Sequence, residues 1–274
     1  MTDLSALVSA YSQGGIFMLQ IQQRLIDFLT PHTVNKTVTD VRIGLGYTAV
    51  RIDGGQVGVA WTPKAASACC THFQGAGNLA GTPAREVLAL LANEKSALPR
   101  AIGLATANAL LATLPQPTTK EEIISMLHIT PADRVAMVGY FAPVSADLRK
   151  TGCRLDIVEL NSHHGDALAP EQGKEALAQC TVAIITGTTL INGTCDEVLA
   201  DVGTPRAVVL LGPSSPLCAE AFAGTKITHV AGSRVREADA ILRVISEGGG
   251  TQLMKRFLDF ATVVVDGVKL PGHP

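Results

Sequence analysis

Five short apolar runs recur along the second half of the chain, and their spacing restricts the fold more than any other feature. Each run is continuously apolar, which is typical of a strand that is covered on both faces of a parallel sheet. The segments between them are long enough for crossover helices, so the pattern predicts a doubly wound α/β domain. A last helix near 238–246 and a final strand at 262–266 follow. The five predicted strands are 134–140, 155–161, 182–186, 207–212 and 227–232.

The first part of the chain has a different pattern, which predicts an α+β domain. Apolar residues at helical spacing precede short β-type runs, and the Asp-Gly-Gly at 53–55 separates two of these runs as in a hairpin. Ala- and Leu-rich helices should follow this antiparallel meander. The predicted elements are a helix at 18–30, strands at 38–43 and on both sides of 53–55, and helices at 83–92 and 98–114.

The best boundary between the two patterns lies at 114–122, where two prolines and two threonines interrupt helical sequence. Thr119 and Glu122 have the spacing of a capping box, which predicts that a helix begins there. We therefore predict one domain over 1–115 and a second over 120–274.

Charge and hydropathy exclude several classes of function. The net charge is −2, without the clustered Lys and Arg of a nucleic-acid-binding surface. No apolar run reaches eighteen residues, so we expect no membrane span. The first twenty residues lack the pattern of a signal peptide. Six scattered cysteines are typical of reduced thiols, which favours a cytoplasmic location. Charged residues make up only 17%, and this low fraction favours a homo-oligomer.

The loops that follow the predicted strands form the expected site, because ligands of open parallel sheets bind at the carboxyl ends of the strands. Glycine stands beside hydroxyl or aromatic groups in four of these five loops. Tyr47 of the first domain could face them. The other predicted ligand-binding residues are Gly139, Tyr140, Phe141, Glu159, Thr186, Gly187, Thr188, Thr189, Asn192, Gly193, Thr194, Gly212, Ser214, Ser233 and Arg234.

The central loop, which follows the third strand, carries a second signal. Thr194 and Glu197 have capping-box spacing, which predicts a helix from Cys195. Its free N–H groups would favour an anionic or carbonyl-bearing ligand and would lower the pKa of the Cys195 thiol. The alternative is that Thr194 only caps the helix and Asn-Gly only makes a turn.

Nucleotide cofactors have little support. There is no P-loop and no G-x-G-x-x-G motif, so neither ATP nor NAD is predicted. Glu159 stands where dinucleotide-binding domains place the acidic residue that binds the ribose. A local hydrogen bond at the strand end is the alternative role for Glu159.

Two patches contain groups that bind transition metals. The first comprises Cys69 and His72 in a long loop of the first domain, and the second comprises His163 and His164 after the second strand. Neither has the paired Cys spacing of a structural zinc site. Exposed histidines and buried free thiols are the alternative reading of both patches.

Seven short motifs of the chain occur together in a known family. They are GLGYTAV at 44–50, GAGNLAGTPAREVLALL at 75–91, VGYFAP at 138–143, ITGTTLINGT at 185–194, GPSSPL at 212–217, AGSRV at 231–235 and EGGGT at 247–251. As a set they resemble the heavy-metal chelation family. The resemblance implies an enolase-like N-terminal domain, a Rossmann-like C-terminal domain and a site in the cleft between them.

Two classes of function follow from these observations. The first is a binding protein that captures a small molecule, a transition metal or a metal complex in the cleft. The second is an enzyme acting on a small polar metabolite in cofactor or tetrapyrrole-type metabolism. Since no nucleophile–base pair is recognisable among the candidate residues, binding is favoured over catalysis.

Overall fold

The computed structural model describes residues 20–64, 72–159 and 167–265. The first domain consists of helices and a three-stranded antiparallel sheet in the order β1-β2-β3, as the sequence predicts. Its elements are α1 (Gln20–Leu29), β1 (Val38–Ile43), β2 (Tyr47–Ile52), β3 (Val57–Trp61), α2 (Ala84–Ala89) and α3 (Ala97–Leu111), with 3₁₀ turns at Thr30–Thr33 and Leu90–Ala92.

One face of this sheet lies on α3, and a glycine sets the distance between them. A Cβ atom added at Gly58 would lie 2.1 Å from the carbonyl oxygen of Ala105 and 2.2 Å from the nitrogen of Ala109. Strand β3 therefore approaches the helix backbone directly. The helix is buried along most of its length, because the sheet covers one side of it and the second domain covers another.

The second domain contains an eight-stranded sheet in the order β4-β11-β10-β9-β8-β5-β6-β7. Strands β5 to β10 are parallel, and the predicted Rossmann-like α/β class is confirmed. Its elements are β4 (Thr118–Thr119), α4 (Ile123–Met126), β5 (Arg134–Val138), α5 (Ala142–Lys150), β6 (Arg154–Val158), β7 (Ala167–Leu168), α6 (Pro170–Gln179), β8 (Val182–Thr186), α7 (Thr189–Asn192), α8 (Cys195–Asp201), β9 (Ala207–Leu211), β10 (His229–Val235), α9 (Ala238–Ser246), α10 (Thr251–Met254) and β11 (Leu258–Val264), with 3₁₀ turns at Glu220–Phe222 and Lys255–Phe257.

Several local predictions in this domain were wrong. The final strand, β11, begins at Leu258, four residues before its predicted start at 262. Strand β10 continues to Val235, three residues beyond the predicted end, because antiparallel β11 pairs with it over its whole length. The predicted capping box at Thr119 does not form. Thr119 pairs with Thr262 of β11, and α4 begins after Glu122 without a side-chain cap.

The two domains share their hydrophobic cores. Helix α9 packs against β1 and β2, so the second domain covers the face of the small sheet that α3 leaves open. Tyr47 and Val59 of that face cluster with Ile241 and Ile245 of α9. A Cβ atom at Gly44 would lie 2.2 Å from the carbonyl oxygen of Ile245, so the β1–β2 turn also touches the helix backbone.

Among the residues that the structure describes, no helix has the length and apolar character needed to cross a membrane.

Candidate functional site

The loops at the carboxyl ends of the parallel strands contact one another through their glycines. Gly139, after β5, has φ +85°, and a Cβ atom there would lie 2.9 Å from Cγ2 of Thr186. Gly187, after β8, has room for no side chain either. A Cβ atom at Gly187 would lie 2.5 Å from Oγ of Ser215. The glycines of these two loops are therefore required by close packing between loops.

The remaining loops join the same surface. A Cβ atom at Gly212, which has φ +118°, would lie 3.4 Å from the ring of Phe141, and one at Gly232 would lie 2.4 Å from the carbonyl oxygen of Ser215. Ser233 donates a hydrogen bond of 3.4 Å to the carbonyl of Pro213. The structure thus brings the loops after β5, β8 and β9 and the end of β10 into one continuous surface, which we call the carboxyl edge.

The central loop of this edge is partly helical. The hydroxyls of Thr186 and Thr188 lie 3.1 Å apart, and buried Thr189 donates a hydrogen bond of 2.8 Å to the carbonyl of Thr186. The single turn of α7 ends at Gly193, whose φ of +80° reverses the chain. Asn192 is exposed and Thr188 is half-buried, so these two side chains remain accessible.

Two side chains of the first domain donate hydrogen bonds to the backbone of this turn. Gln22 of α1 is fully buried and donates a hydrogen bond of 2.9 Å to the carbonyl of Leu190. Arg100 of α3 donates from Nε to the carbonyl of Ile191 at 2.5 Å and from Nη2 to that of Asn192 at 3.1 Å. Three consecutive carbonyls of the central loop are therefore bound by the other domain.

Arg100 has a further partner, the carbonyl of Asn93 at 2.5 Å. Burial lowers the pKa of the Arg100 guanidinium, and only 6% of the residue is exposed. Neither Gln22 nor Arg100 was predicted as a site residue. Arg100 had a detectable signal, since it is the single charged residue in the otherwise apolar helix Ala97–Leu111.

A second bridge between the domains involves Ser214. The backbone nitrogen of Trp61 donates to Oγ of Ser214 at 2.9 Å, and the side chain of Asn108 donates to its carbonyl at 3.3 Å. Ser214 is buried and already bonded by protein groups.

Tyr47 makes a third bridge to the second domain. Its hydroxyl lies 2.8 Å from that of Thr251, the last residue of the glycine-rich segment 247–251. Burial raises the pKa of Tyr47, so its phenol is neutral at physiological pH. A neutral phenol can donate or accept a hydrogen bond but cannot act as a base.

Glu159, directly after β6, accepts a hydrogen bond of 2.9 Å from the backbone nitrogen of Tyr140. This contact is the local pairing that the sequence left open as the alternative to ribose binding. It fixes the turn after β5, where the ring of Tyr140 is exposed.

The start of α8 differs from the prediction. The helix does begin at Cys195, but Thr194 makes no side-chain cap, and its Oγ1 is buried without a hydrogen-bond partner. The predicted lowering of the Cys195 pKa is wrong. Burial raises the pKa of this thiol to about 12, because the sulfur lies in the apolar core.

Comparison with known proteins assigns the family. A family model described as "Putative heavy-metal chelation" matches residues 122–264, which is more than half of the chain. The chain belongs to this family. A second model with the same description matches residues 26–111. The two matches correspond to the Rossmann-like domain and to most of the domain that precedes it.

Other proteins resemble this member of the heavy-metal chelation family over most of its length. An uncharacterized protein of Methanocaldococcus jannaschii is 25% identical in an alignment over 248 residues that covers 86% of this chain and 93% of that protein. A crystal structure from Pyrococcus horikoshii has a TM-score of 0.78 at 20% identity and covers 89% of this chain and 100% of that chain. One from Desulfitobacterium hafniense has a TM-score of 0.76 at 20% identity and covers 90% and 98%. Both are described as proteins of unknown function from this family, and both show the same fold.

The family description names heavy-metal chelation, but the described residues contain no cluster of three or more metal-ligating side chains. Within 20–64, 72–159 and 167–265, no group of three or more His, Cys, Asp or Glu side chains could hold an ion. His72 is exposed, whereas Cys69, His163 and His164 lie outside the described residues. The carboxyl edge presents hydroxyls, an amide and a guanidinium, and these groups are poor ligands for a soft metal.

Proposed function

We propose that this protein binds a small polar organic molecule, including the organic ligand of a metal complex, in the cleft between the first domain and the carboxyl edge. Any metal is then cargo that arrives with its own ligands. The donor chemistry supports this proposal, because hydroxyl, amide and guanidinium groups recognise oxygen-rich organic molecules better than they recognise bare soft cations.

The observation that carries the proposal is the fixed backbone of the central loop. Gln22 and Arg100 bind its carbonyls from the side of the first domain, whereas the side chains of Thr188 and Asn192 remain accessible. A loop that is immobilised before the ligand arrives loses little conformational entropy on binding. Such preorganisation is typical of binding sites that are built on rigid elements.

Catalysis on a small polar metabolite, of the kind found in cofactor or tetrapyrrole-type metabolism, is the second candidate. A neutral Tyr47 beside Thr251 could donate a proton or a hydrogen bond to such a substrate. Glu159 has less support as a base, because its carboxylate holds the backbone nitrogen of Tyr140.

Calorimetry with metal and chelate can test the binding function. The protein, purified without a metal-affinity resin, would be titrated with Ni²⁺ alone, with citrate alone and with the Ni²⁺–citrate complex. We expect binding of citrate or the complex and no binding of the bare ion. Tight binding of free Ni²⁺ together with no binding of citrate or of the complex would refute the proposal.

Two substitutions locate the site. Thr188→Val and Asn192→Ala each remove a side-chain hydrogen-bonding group and leave the backbone carbonyl in place, so each should weaken binding about 5-fold or more. Thr39→Val, at an exposed position of strand β1, is the matched control. If both variants bind as tightly as the parent, the central loop is not the site.

A further inference from the structure

Arg234 lies near the end of β10 and has two nitrogen atoms that form no hydrogen bond within the described part of the chain. Its Nε and Nη2 are buried, and neither has a hydrogen-bond partner. A buried guanidinium with unpaired N–H groups is costly, because it loses hydration without compensation. Among the described residues, Arg234 is the one arginine with two such nitrogens.

The other arginines show how this chain normally satisfies the same group. Arg100 is more deeply buried, and three carbonyls surround it. Arg51 leaves Nε unpaired but bonds Asp239 through Nη2. The unpaired Nε and Nη2 of Arg234 are therefore an exception among the described arginines.

Nε and Nη2 form the edge of a guanidinium that donates two parallel hydrogen bonds to the oxygens of a carboxylate. This protein uses the same edge twice. Nε and Nη2 of Arg42 hold the two oxygens of Asp40 at 2.8 and 2.9 Å, and those of Arg206 hold Asp133 at 3.2 Å each. The unfilled edge of Arg234 thus has the shape and charge for one oxyanion.

The acidic residue paired with Arg234 across the sheet does not bond its Nε or Nη2. Asp259 of β11 stands opposite Arg234, but it is exposed and accepts a hydrogen bond of 3.1 Å from Arg236.

The position of Arg234 places it at the carboxyl edge. Pairing between β9 and β10 ends at Ala231, so Arg234 stands beyond the end of β9, next to Ser233, which bonds the loop after β9. Gly232, two residues earlier on the same face of β10, abuts the carbonyl of Ser215. The Oγ of Ser215 is also buried without a hydrogen-bond partner, and it lies against Gly187 of the central loop.

We propose that Arg234 binds a carboxylate or phosphate group of the ligand through Nε and Nη2, with the rest of the ligand extending past Ser215 towards Thr188. This inference rests on the proposed binding function and names the chemical class of the ligand, an oxyanion. A carboxylate-bearing chelator and a phosphate ester share this chemistry.

Calorimetry with two probes distinguishes the two sources. Citrate represents the carboxylates and inorganic phosphate represents the phosphates, each titrated at low ionic strength into the full chain. We expect at least one of them to bind. Arg234→Met should weaken that binding about 20-fold or more, and Arg234→Lys, which keeps the charge but loses the two-pronged edge, should weaken it about 10-fold. Arg236→Met, two residues away and exposed, should bind like the parent.

Thermal unfolding without any anion gives a readout that does not depend on the choice of probe. Since the empty guanidinium edge is destabilising, Arg234→Met should unfold at the same temperature as the parent or at a higher one. A decrease of several degrees would show that Arg234 is a structural residue and would overturn the inference. Binding of neither anion at millimolar concentration would overturn it too.

The two proposals can fail separately. If Thr188→Val and Asn192→Ala weaken ligand binding but Arg234→Met does not, the cleft is a binding site and the oxyanion assignment is wrong. If Arg234→Met abolishes anion binding and the two loop variants have no effect, the oxyanion site stands and the central loop is not part of it.

Discussion

Arg100→Met is the most informative perturbation of the contact between the domains. The substitution keeps most of the length of the buried side chain but removes the donors to the carbonyls of Asn93, Ile191 and Asn192. The carbonyls of Asn93 and Ile191 then lie in an interior that water reaches poorly, whereas the bond to Asn192 is only partly buried. Each lost partner costs free energy. The central loop also loses two of its three bonds to the first domain.

The magnitude follows from the geometry. Three hydrogen bonds to a charged donor contribute about 1.5–3 kcal/mol each, or about 4–9 kcal/mol together. Burial of the charged guanidinium, which lowers the pKa of Arg100, is itself unfavourable. Removing that charge therefore recovers several kcal/mol of the loss. A net loss of about 3 kcal/mol in the free energy of unfolding remains. For a chain of this size, that loss corresponds to a decrease in Tm of about 6 °C or more.

Differential scanning calorimetry or circular dichroism measures this decrease. Arg85→Met is the matched control, because Arg85 lies exposed on helix α2 of the same domain and its replacement should leave Tm nearly unchanged. A Tm for Arg100→Met within about 1 °C of the parent would refute the reasoning, since two buried carbonyls and one partly buried carbonyl would then have lost their partner without cost.

Three further results are expected. Gly187→Ala should lower the free energy of unfolding by about 1–3 kcal/mol in urea denaturation, because its Cβ has no room, whereas Gly250→Ala, at a position with open space around it, should be neutral. His229 is fully buried, and burial lowers its pKa, so the unfolded chain takes up a proton that the folded protein excludes. The free energy of unfolding should therefore fall as the pH drops below about 6.5, and it should fall less steeply with pH in His229→Gln. The same dependence on pH in both proteins would contradict this reason. Cys195 should resist iodoacetamide in the folded protein at pH 8, as site-resolved mass spectrometry can check, while half-buried Cys153 reacts faster.

The sequence predicts regular elements well here because their signals are local. Strand β8 at 182–186 and helix α9 at 238–246 have the bounds that their apolar patterns predict. The extension of β10 could not be predicted in the same way. It depends on pairing with β11, and no pattern within 229–235 encodes the strand beside it.

In the candidate site, too, local features could be predicted from the sequence and long-range contacts could not. The sequence identifies the loops that meet at the carboxyl edge, because the direction of parallel strands determines where they end. It does not identify their partners. Gln22 and Arg100 reach the central loop from 168 and 91 residues away along the chain. The predicted lowering of the Cys195 pKa failed for a related reason. The sequence indicates where the helix begins, but it does not indicate that the sulfur is buried.

The packing of α9 on the small sheet has a consequence for the order of events during synthesis. Strands β1 to β3 leave the ribosome early, but the helix that covers their second face is encoded near the other end of the chain. Until then the apolar side chains of Ala49, Val57 and Val59 lack their cover. Exposed apolar strands in a partly made chain attract chaperones or aggregate. The first domain of this protein therefore completes its folding only after nearly all of the second domain has been translated.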